Sequence, residues 1–314
     1  MWTAGLDSLA RLSVLAAVAA LLGYAGAWHW LLDLCAHFRW QYAVILPLGM
    51  VAALLRRKHG IGLLLLGVGW LNAWSLITAT GPKPVTPIAS DARSWKLLMV
   101  NVHVDNPDYA ALLALIEQES PDVIGVLELS PRGAAALRPL DARYPVRHTE
   151  ARDDPFGIGL WSRLPASLIE STPMPPIALP TLRLDWADPE PGSLWLVHPF
   201  PPIGGDATRW RDQQLAELAT RVRGAASVIV TGDLNATPWS AAYRQFRADS
   251  GLADAAAGGW PWPTWSGPNV FAALAIPIDH ALHGSGWQVR RHSVGPDVGS
   301  DHRPVIVEWA RHPG

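Results

Sequence analysis

Residues 228–238 read Val-Ile-Val-Thr-Gly-Asp-Leu-Asn-Ala-Thr-Pro. A run of β-branched residues meets a glycine and then Asp233 and Asn235, two positions apart. In an extended segment alternate side chains share a face, so a carboxylate and a carboxamide project together from the end of a buried strand. The first suits a base or an orienter of water; the second suits a neutral ligand or a donor to phosphate. Taken alone, the segment also fits an Asp/Asn turn that closes a strand.

The same device recurs on both sides. Met99-Val-Asn101, Val126-Leu-Glu128 and Trp195-Leu-Val-His198 each finish an apolar run with one polar group. Asp279 follows Ile278, and residues 298–307, Val-Gly-Ser-Asp-His-Arg-Pro-Val-Ile-Val, set Asp301 and His302 just ahead of another apolar run. A buried carboxylate without a partner is costly, so Glu128 needs a cation or donors. The imidazole of His302 ordinarily titrates near neutrality, which suits proton transfer. Placement of all these residues at strand ends is far harder to attribute to chance than any one of them.

Between these points the pattern predicts strands at 96–104, 122–127, 157–161, 181–186, 193–197, 227–231, 278–282 and 304–309. Helices are predicted at 109–119, 130–137, 208–223 and 240–248, with Ser130 as N-cap and Pro131 in the first turn. Residues 94–312 therefore form one α/β-type (α+β) domain, large enough to bury a full core. No internal repeat is evident.

Ahead of this domain the composition changes. The 314 residues are 49 % hydrophobic and only 17 % charged, with mean hydropathy +0.13, which excludes a disordered chain. The excess sits in residues 1–80. There, 12–32, 40–55 and 61–80 carry no Asp, Glu, Lys or Arg, and the first and third are long enough to cross a bilayer. Three transmembrane helices are expected, the middle one short, followed by a proline-rich linker at 81–93. A single cysteine, Cys35, excludes an intramolecular disulfide and zinc sites built on several thiolates.

Net charge −2 hides an asymmetry: five bases face two acids over residues 1–80, and 20 bases face 25 acids beyond. An acidic domain is a poor match for long nucleic acid. Arg209, Arg211, Arg221 and Arg223 fall on one predicted helix, which reads as a solvated face. The aromatic stretch 259–265, Gly-Trp-Pro-Trp-Pro-Thr-Trp, reads either as a rim for a base or a lipid headgroup, or as a loop packed on the domain.

Asn101, Glu128 within 121–128, His198, Gly232-Asp-Leu-Asn-Ala-Thr-Pro238, Ile278-Asp-His280 and Gly299-Ser-Asp-His-Arg-Pro304 together resemble the endonuclease/exonuclease/phosphatase (DNase I-like) superfamily. The pieces occur in that family's order across 94–309. With its apolar N-terminal region the chain is similar to a membrane-bound bacterial branch. The resemblance implies a four-layer αββα sandwich of two mixed β-sheets and a hydrolase acting on phosphoester bonds, such as a nuclease, phosphodiesterase or phosphatase. It implies Mg²⁺ or Mn²⁺ held by Glu128, Asn101 and Asp301. Asp233 and Asn235 would orient water and phosphate, Asp279 would hold His302, and His302 and His198 would contact the scissile phosphate. Leu127 stands where the family often has glutamine, and His103 where some nuclease members carry aspartate. The partners so implied are a phosphoester (nucleotide, nucleic acid or lipid headgroup) and the membrane; a non-catalytic membrane-bound module of the same fold is the alternative.

The cluster Arg56-Arg57-Lys58 joins the second and third apolar runs. Such clusters stay cytoplasmic, which puts the domain on the extracytoplasmic side of the inner or plasma membrane. Protease added outside sealed, right-side-out vesicles is expected to cut the domain; full protection would reverse the orientation.

Overall fold

Leu97 and Met99 point into the space between two sheets, whereas Leu98 and Val100 pack under outer helices. This two-residue period runs through the C-terminal part of the chain. The computed structural model describes residues 2–79, 81, 88, 94–187, 191–260, 262–267 and 273–311. The linker expected at 81–93 lies outside these, except for Gly81 and Ile88.

The strands are β1 (Ser94–Asn101), β2 (Val123–Leu127), β3 (Val146–Glu150), β4 (Ile158–Ser162), β5 (Ala166–Ser171) and β6 (Leu182–Trp186). They continue as β7 (Gly192–Val197), β8 (Val228–Asp233), β9 (Ala253–Asp254), β10 (Asp279–His283), β11 (Trp287–Val294) and β12 (Val305–Arg311). One six-stranded sheet has the order β11-β12-β1-β2-β4-β3, the other β5-β6-β7-β8-β10-β9. The helices of this part are α5 (Ala110–Glu119), α6 (Pro131–Ala136), α7 (Gly205–Val222) and α8 (Ala241–Ser250). Ser130 Oγ and Ser240 Oγ cap α6 and α8 by accepting from the Gly133 and Tyr243 amides. With helices outside both sheets, the domain is the expected four-layer sandwich of two mixed sheets.

The pairing places the chemistry. β1 runs parallel to β2 and antiparallel to β12; β8 runs parallel to β7 and antiparallel to β10, with Asp279 opposite Asp233. The chain therefore leaves β1, β2, β7 and β8, and enters β10 and β12, at a common edge of the sandwich. Polar residues at those strand ends have one place to go.

The N-terminal part holds α1 (Trp2–Leu22), α2 (Trp30–Ala36), α3 (Arg39–Leu55) and α4 (His59–Thr78). The run 12–32, expected as one span, is broken: α1 ends in a 3₁₀ turn at Gly23–Ala25 and the chain folds back into α2. Gly26 permits the reversal, since a Cβ there would lie 2.7 Å from Asp33 Oδ1. Ala4–Ala25 and His59–Thr78 are long and apolar enough to cross a membrane, and α2 with α3, bent by 67°, makes a third if counted as one span. Pro47 stays inside α3. At Gly49 a Cβ would fall 2.0 Å from Ser13 Oγ, so α1 and α3 approach as small-residue membrane helices do.

The domain docks on one end of this bundle. Asp33 Oδ1 accepts from the Ala241 amide at 2.6 Å, the first residue of α8. Asp33 Oδ2 lies 3.5 Å from Arg211 Nη2, with both side chains almost fully buried. Arg211 is therefore not on a solvated face as expected; it is the buried partner of the N-terminal region. Gln41 Nε2 donates to the Ala273 and Ala275 carbonyls at 3.1 and 3.0 Å. Trp262 stacks on Trp40 of α3 and Trp260 lies tilted against it, with ring centroids 6.1 and 5.4 Å away. Thr264 and Trp265 bond to the sandwich at Ile278, Asp279 and Asp301, so the aromatic stretch packs on the domain at one end and on the helix bundle at the other. At the far end of the bundle Arg56 and Lys58 share Asp7.

Breaking a buried ion pair by removing one partner costs about 3 kcal/mol. Asp33→Ala is expected to lower the thermal midpoint of the full chain in detergent by several degrees, whereas Asp212→Ala, on the half-exposed second partner of Arg211, leaves it nearly unchanged. Equal midpoints for the two variants would contradict the docking role.

Candidate active site

Gly232 has φ +152°, and a Cβ there would sit 1.9 Å from the Val197 carbonyl oxygen. Only glycine lets β8 pass so close to the end of β7, and the contact sets His198 beside Asp233. Three non-glycine residues at the same edge take the left-handed conformation: His103 (φ 61°), Glu128 (φ 56°) and Asn235 (φ 49°). Each costs about 1 kcal/mol or more, and hydrogen bonds hold them. The Val104 amide donates to Glu128 Oε2 at 3.0 Å, the His103 amide to Asn101 Oδ1 at 3.0 Å, and the Asn235 amide to Asp233 Oδ1 at 2.9 Å.

Asn101 Nδ2 donates to Glu128 Oε1 at 2.8 Å and to Asp233 Oδ2 at 3.3 Å. The carboxamide thus separates two carboxylates and turns its nitrogen, not its oxygen, toward them. His302 Nδ1 is 2.8 Å from Asp279 Oδ2. The Nε2 atoms of His302 and His198 approach Asp233 Oδ2 to 3.7 and 3.6 Å. Asp301 Oδ2 accepts from Trp265 Nε1 at 2.9 Å, and Asn235 Nδ2 donates to the Pro199 carbonyl at 3.0 Å. Arg211 Nη1 donates to the Asn235 carbonyl at 3.0 Å, which ties the docking pair to this loop.

Burial, with the charge of Asp279, pushes the Asp233 carboxyl up to about 8. For Asp279 burial acts in the same sense, but the His302 charge and hydrogen bond prevail and hold it below its ordinary value. Burial draws His302 down, yet Asp279 and then Asp233 outweigh it and raise the imidazole to about 10. Burial lowers His198. The interior therefore favours an imidazolium–carboxylate pair, His302 with Asp279, beside a second carboxyl, Asp233, whose charged form burial and the charge of Asp279 disfavour.

That imbalance is the electrostatics of a cation site. Ligand atoms of Asp233, Asp279 and His302 lie within 4.8 Å of one another, although Asp279 is already engaged with His302. Glu128, Asp233 and Asp301 add carboxylate oxygens around the same opening, a donor set that fits Mg²⁺ or Mn²⁺.

All eight residues singled out in the sequence gather here. Glu128, His198, Asp233, Asn235, Asp301 and His302 line a cavity of about 820 Å³; Asn101 and Asp279 are buried and touch Glu128 and His302. Sequence reasoning missed the rest of the lining. Phe156 and Phe200 pack together with centroids 4.6 Å apart, and Leu34, His37 and Phe38 reach the cavity from the N-terminal region. Phe156 also abuts the His198 ring, with centroids 5.6 Å apart.

Two mixed six-stranded sheets face to face, with carboxylates and imidazoles buried at their common edge, define the class of phosphoester-cleaving sandwich enzymes. The chain belongs to the endonuclease/exonuclease/phosphatase family, whose model matches residues 100–302 and whose members are metal-dependent phosphoester hydrolases. No curated protein matches it in sequence. Among solved structures it is similar to the human Nocturnin catalytic domain with bound sulfate anion, at 17 % identity and TM-score 0.56, covering 70 % of this chain and 95 % of that one. It is also similar to D. rerio TDP2 complexed with single strand DNA product, at 17 % and 0.57, over 69 % and 98 % of the two chains. Sphingomyelinase C from Streptomyces griseocarneus gives 19 % and 0.51, over 69 % and 99 %. At these identities the likeness shows the fold.

Gly232→Ala is expected to cost on the order of 2–3 kcal/mol and to displace His198 from Asp233. Urea unfolding of the full chain checks this, and an unchanged midpoint would mean that the close approach is not needed.

Proposed function

We propose that the chain is a membrane-anchored, divalent-metal-dependent phosphoesterase that hydrolyses a phosphodiester in preference to a monoester, on the extracytoplasmic face. The observation that carries the reading is the buried set in which Asn101 bridges Glu128 and Asp233 while Asp279 fixes His302. A bound Mg²⁺ or Mn²⁺, held by Glu128 and Asp301 with support from Asn101, neutralises phosphoryl charge and lowers the pKa of water. A cation beside Asp233 would favour its ionised form, in which it would accept the proton of the attacking water, and Asn235, fixed through Pro199 and Arg211, helps orient that water and the phosphate. Water adds to phosphorus in line with the ester oxygen, whose bond to phosphorus breaks, and the departing alkoxide takes a proton from solvent to leave as the alcohol beside a phosphomonoester. His302, kept protonated by Asp279, and His198 donate hydrogen bonds to the phosphoryl oxygens. The orientation is supported by the bundle: the domain docks at the end opposite Arg56 and Lys58.

Hydrolysis of bis-p-nitrophenyl phosphate by the full chain is expected to need Mg²⁺ or Mn²⁺ and to stop with EDTA. Glu128→Ala and His302→Ala are each expected to lower kcat at least 100-fold, and His302→Ala, which leaves buried Asp279 unpaired, also to lower the thermal midpoint. Undiminished turnover in EDTA, or absence of turnover on this and other phosphoesters, would leave the non-catalytic module in its place.

A further inference from the structure

The cavity over the catalytic residues has two unlike kinds of lining. Its polar lining includes Glu128, His198, Asp233, Asp301 and His302; its apolar lining includes Phe156, Phe200, Ile203 and Ile276 from the sandwich and Leu34 and Phe38 from the N-terminal region, with Phe156 against the His198 ring. Leu34 lies in α2, and Phe38 is the N-cap residue of α3. The apolar lining thus continues into the corner where the chain turns into the helix bundle. Ile203 stays 79 % exposed at the edge of this cavity, in the proline-stiffened stretch Pro199-Phe-Pro-Pro-Ile203.

Among the described residues no lysine or arginine lines the cavity. A polyanion, whether a nucleic acid strand or a multiply phosphorylated ring, is ordinarily held by such cations. A single phosphate beside the catalytic cation needs none, and an apolar wall adds affinity only for an apolar substituent. Buried His37, whose Nε2 has no hydrogen-bond partner among the described residues, lines the same cavity. It adds one polar group to that lining. Trp40, packed against Trp260 and Trp262 at the same end of α3, is the kind of aromatic group that sits at a membrane interface.

We infer that the substrate is a lipid phosphodiester, one phosphate joined to an apolar chain, and that Leu34 and Phe38 of the α2–α3 corner are part of its binding site. The phosphate rests on the carboxylate–imidazole lining while the chain lies along Phe156, Phe200 and Ile203 toward the bundle. The sandwich supplies the hydrolysis, and selection is shared between its own apolar residues and the α2–α3 corner. This inference rests on the phosphoesterase reading above.

The test compares methyl p-nitrophenyl phosphate, octyl p-nitrophenyl phosphate and thymidine 5′-(p-nitrophenyl) phosphate on the full chain in detergent micelles with Mg²⁺. All three release the same chromophore. The octyl ester is expected to show a kcat/KM at least tenfold above the methyl ester and above the nucleotide ester. Phe38→Ala and Ile203→Ser are each expected to shrink the octyl-to-methyl ratio at least threefold. Partition into micelles is the same for wild type and variants, so it cannot imitate that change. Ile203 is exposed, so its variant keeps the test alive if Phe38→Ala misfolds. An octyl-to-methyl ratio within twofold of unity, a preference for the nucleotide ester, or a ratio unmoved in both variants overturns the inference while leaving the phosphoesterase reading intact. Failure of the wild type to cleave any ester with Mg²⁺ or Mn²⁺ overturns that reading, and this inference with it.

Discussion

Negative charge gathered in the sandwich interior and at its mouth is the constraint on which the site depends. Glu128, Asp233 and Asp279 converge at the edge where six strand ends meet, and the interior offers them one firmly protonated imidazole. Like charges so placed repel strongly unless a proton, a donor or a cation intervenes. Each local peculiarity answers that demand. Asn101 inserts an amide between Glu128 and Asp233, Asp279 shares its charge with His302, and left-handed turns at Glu128 and Asn235 aim backbone amides at carboxylates. What remains is a deficit of positive charge, which a divalent ion bound at Asp233, Asp279 and His302 or beside them would remove.

The sequence showed the centre of this arrangement clearly and its periphery poorly, for physical reasons. A polar residue closing an apolar run is conspicuous, and all eight site residues are of that kind. The central strands β1, β2, β7, β8 and β12 were equally plain, because strands buried on both faces are largely apolar. The four strands that went unpredicted, β3, β5, β9 and β11, are the edges of the two sheets. Edge strands are half-solvated, and they carry charge, as Arg290 and Arg291 do in β11, which blunts their pattern.

Two other features were hidden because they depend on contacts remote in sequence. The apolar run 12–32 looked continuous, yet the chain reverses after Ala25 so that Asp33 can reach α8 and Arg211. Periodicity carries no trace of a carboxylate that caps a helix two hundred residues away. For the same reason Arg211 read as one of a row of surface bases. Its burial follows from a partner in the N-terminal region, and only tertiary structure brings the two together.

The link through Arg211 gives the N-terminal region a part beyond attachment. One guanidinium holds Asp33 of α2 and the carbonyl of Asn235, so the corner of the bundle and the catalytic loop are fixed by the same group. A chain beginning at residue 94 would keep the sheets, the strand ends and every catalytic side chain. It would lose Leu34, His37 and Phe38 from the cavity and would leave Arg211 without Asp33. The polar lining and most of the apolar lining belong to the sandwich; the bundle adds Leu34, His37 and Phe38, held there by a buried charge pair. Residues from two distant parts of the chain thereby share one cavity, and Arg211 is the point where the two parts are kept in register.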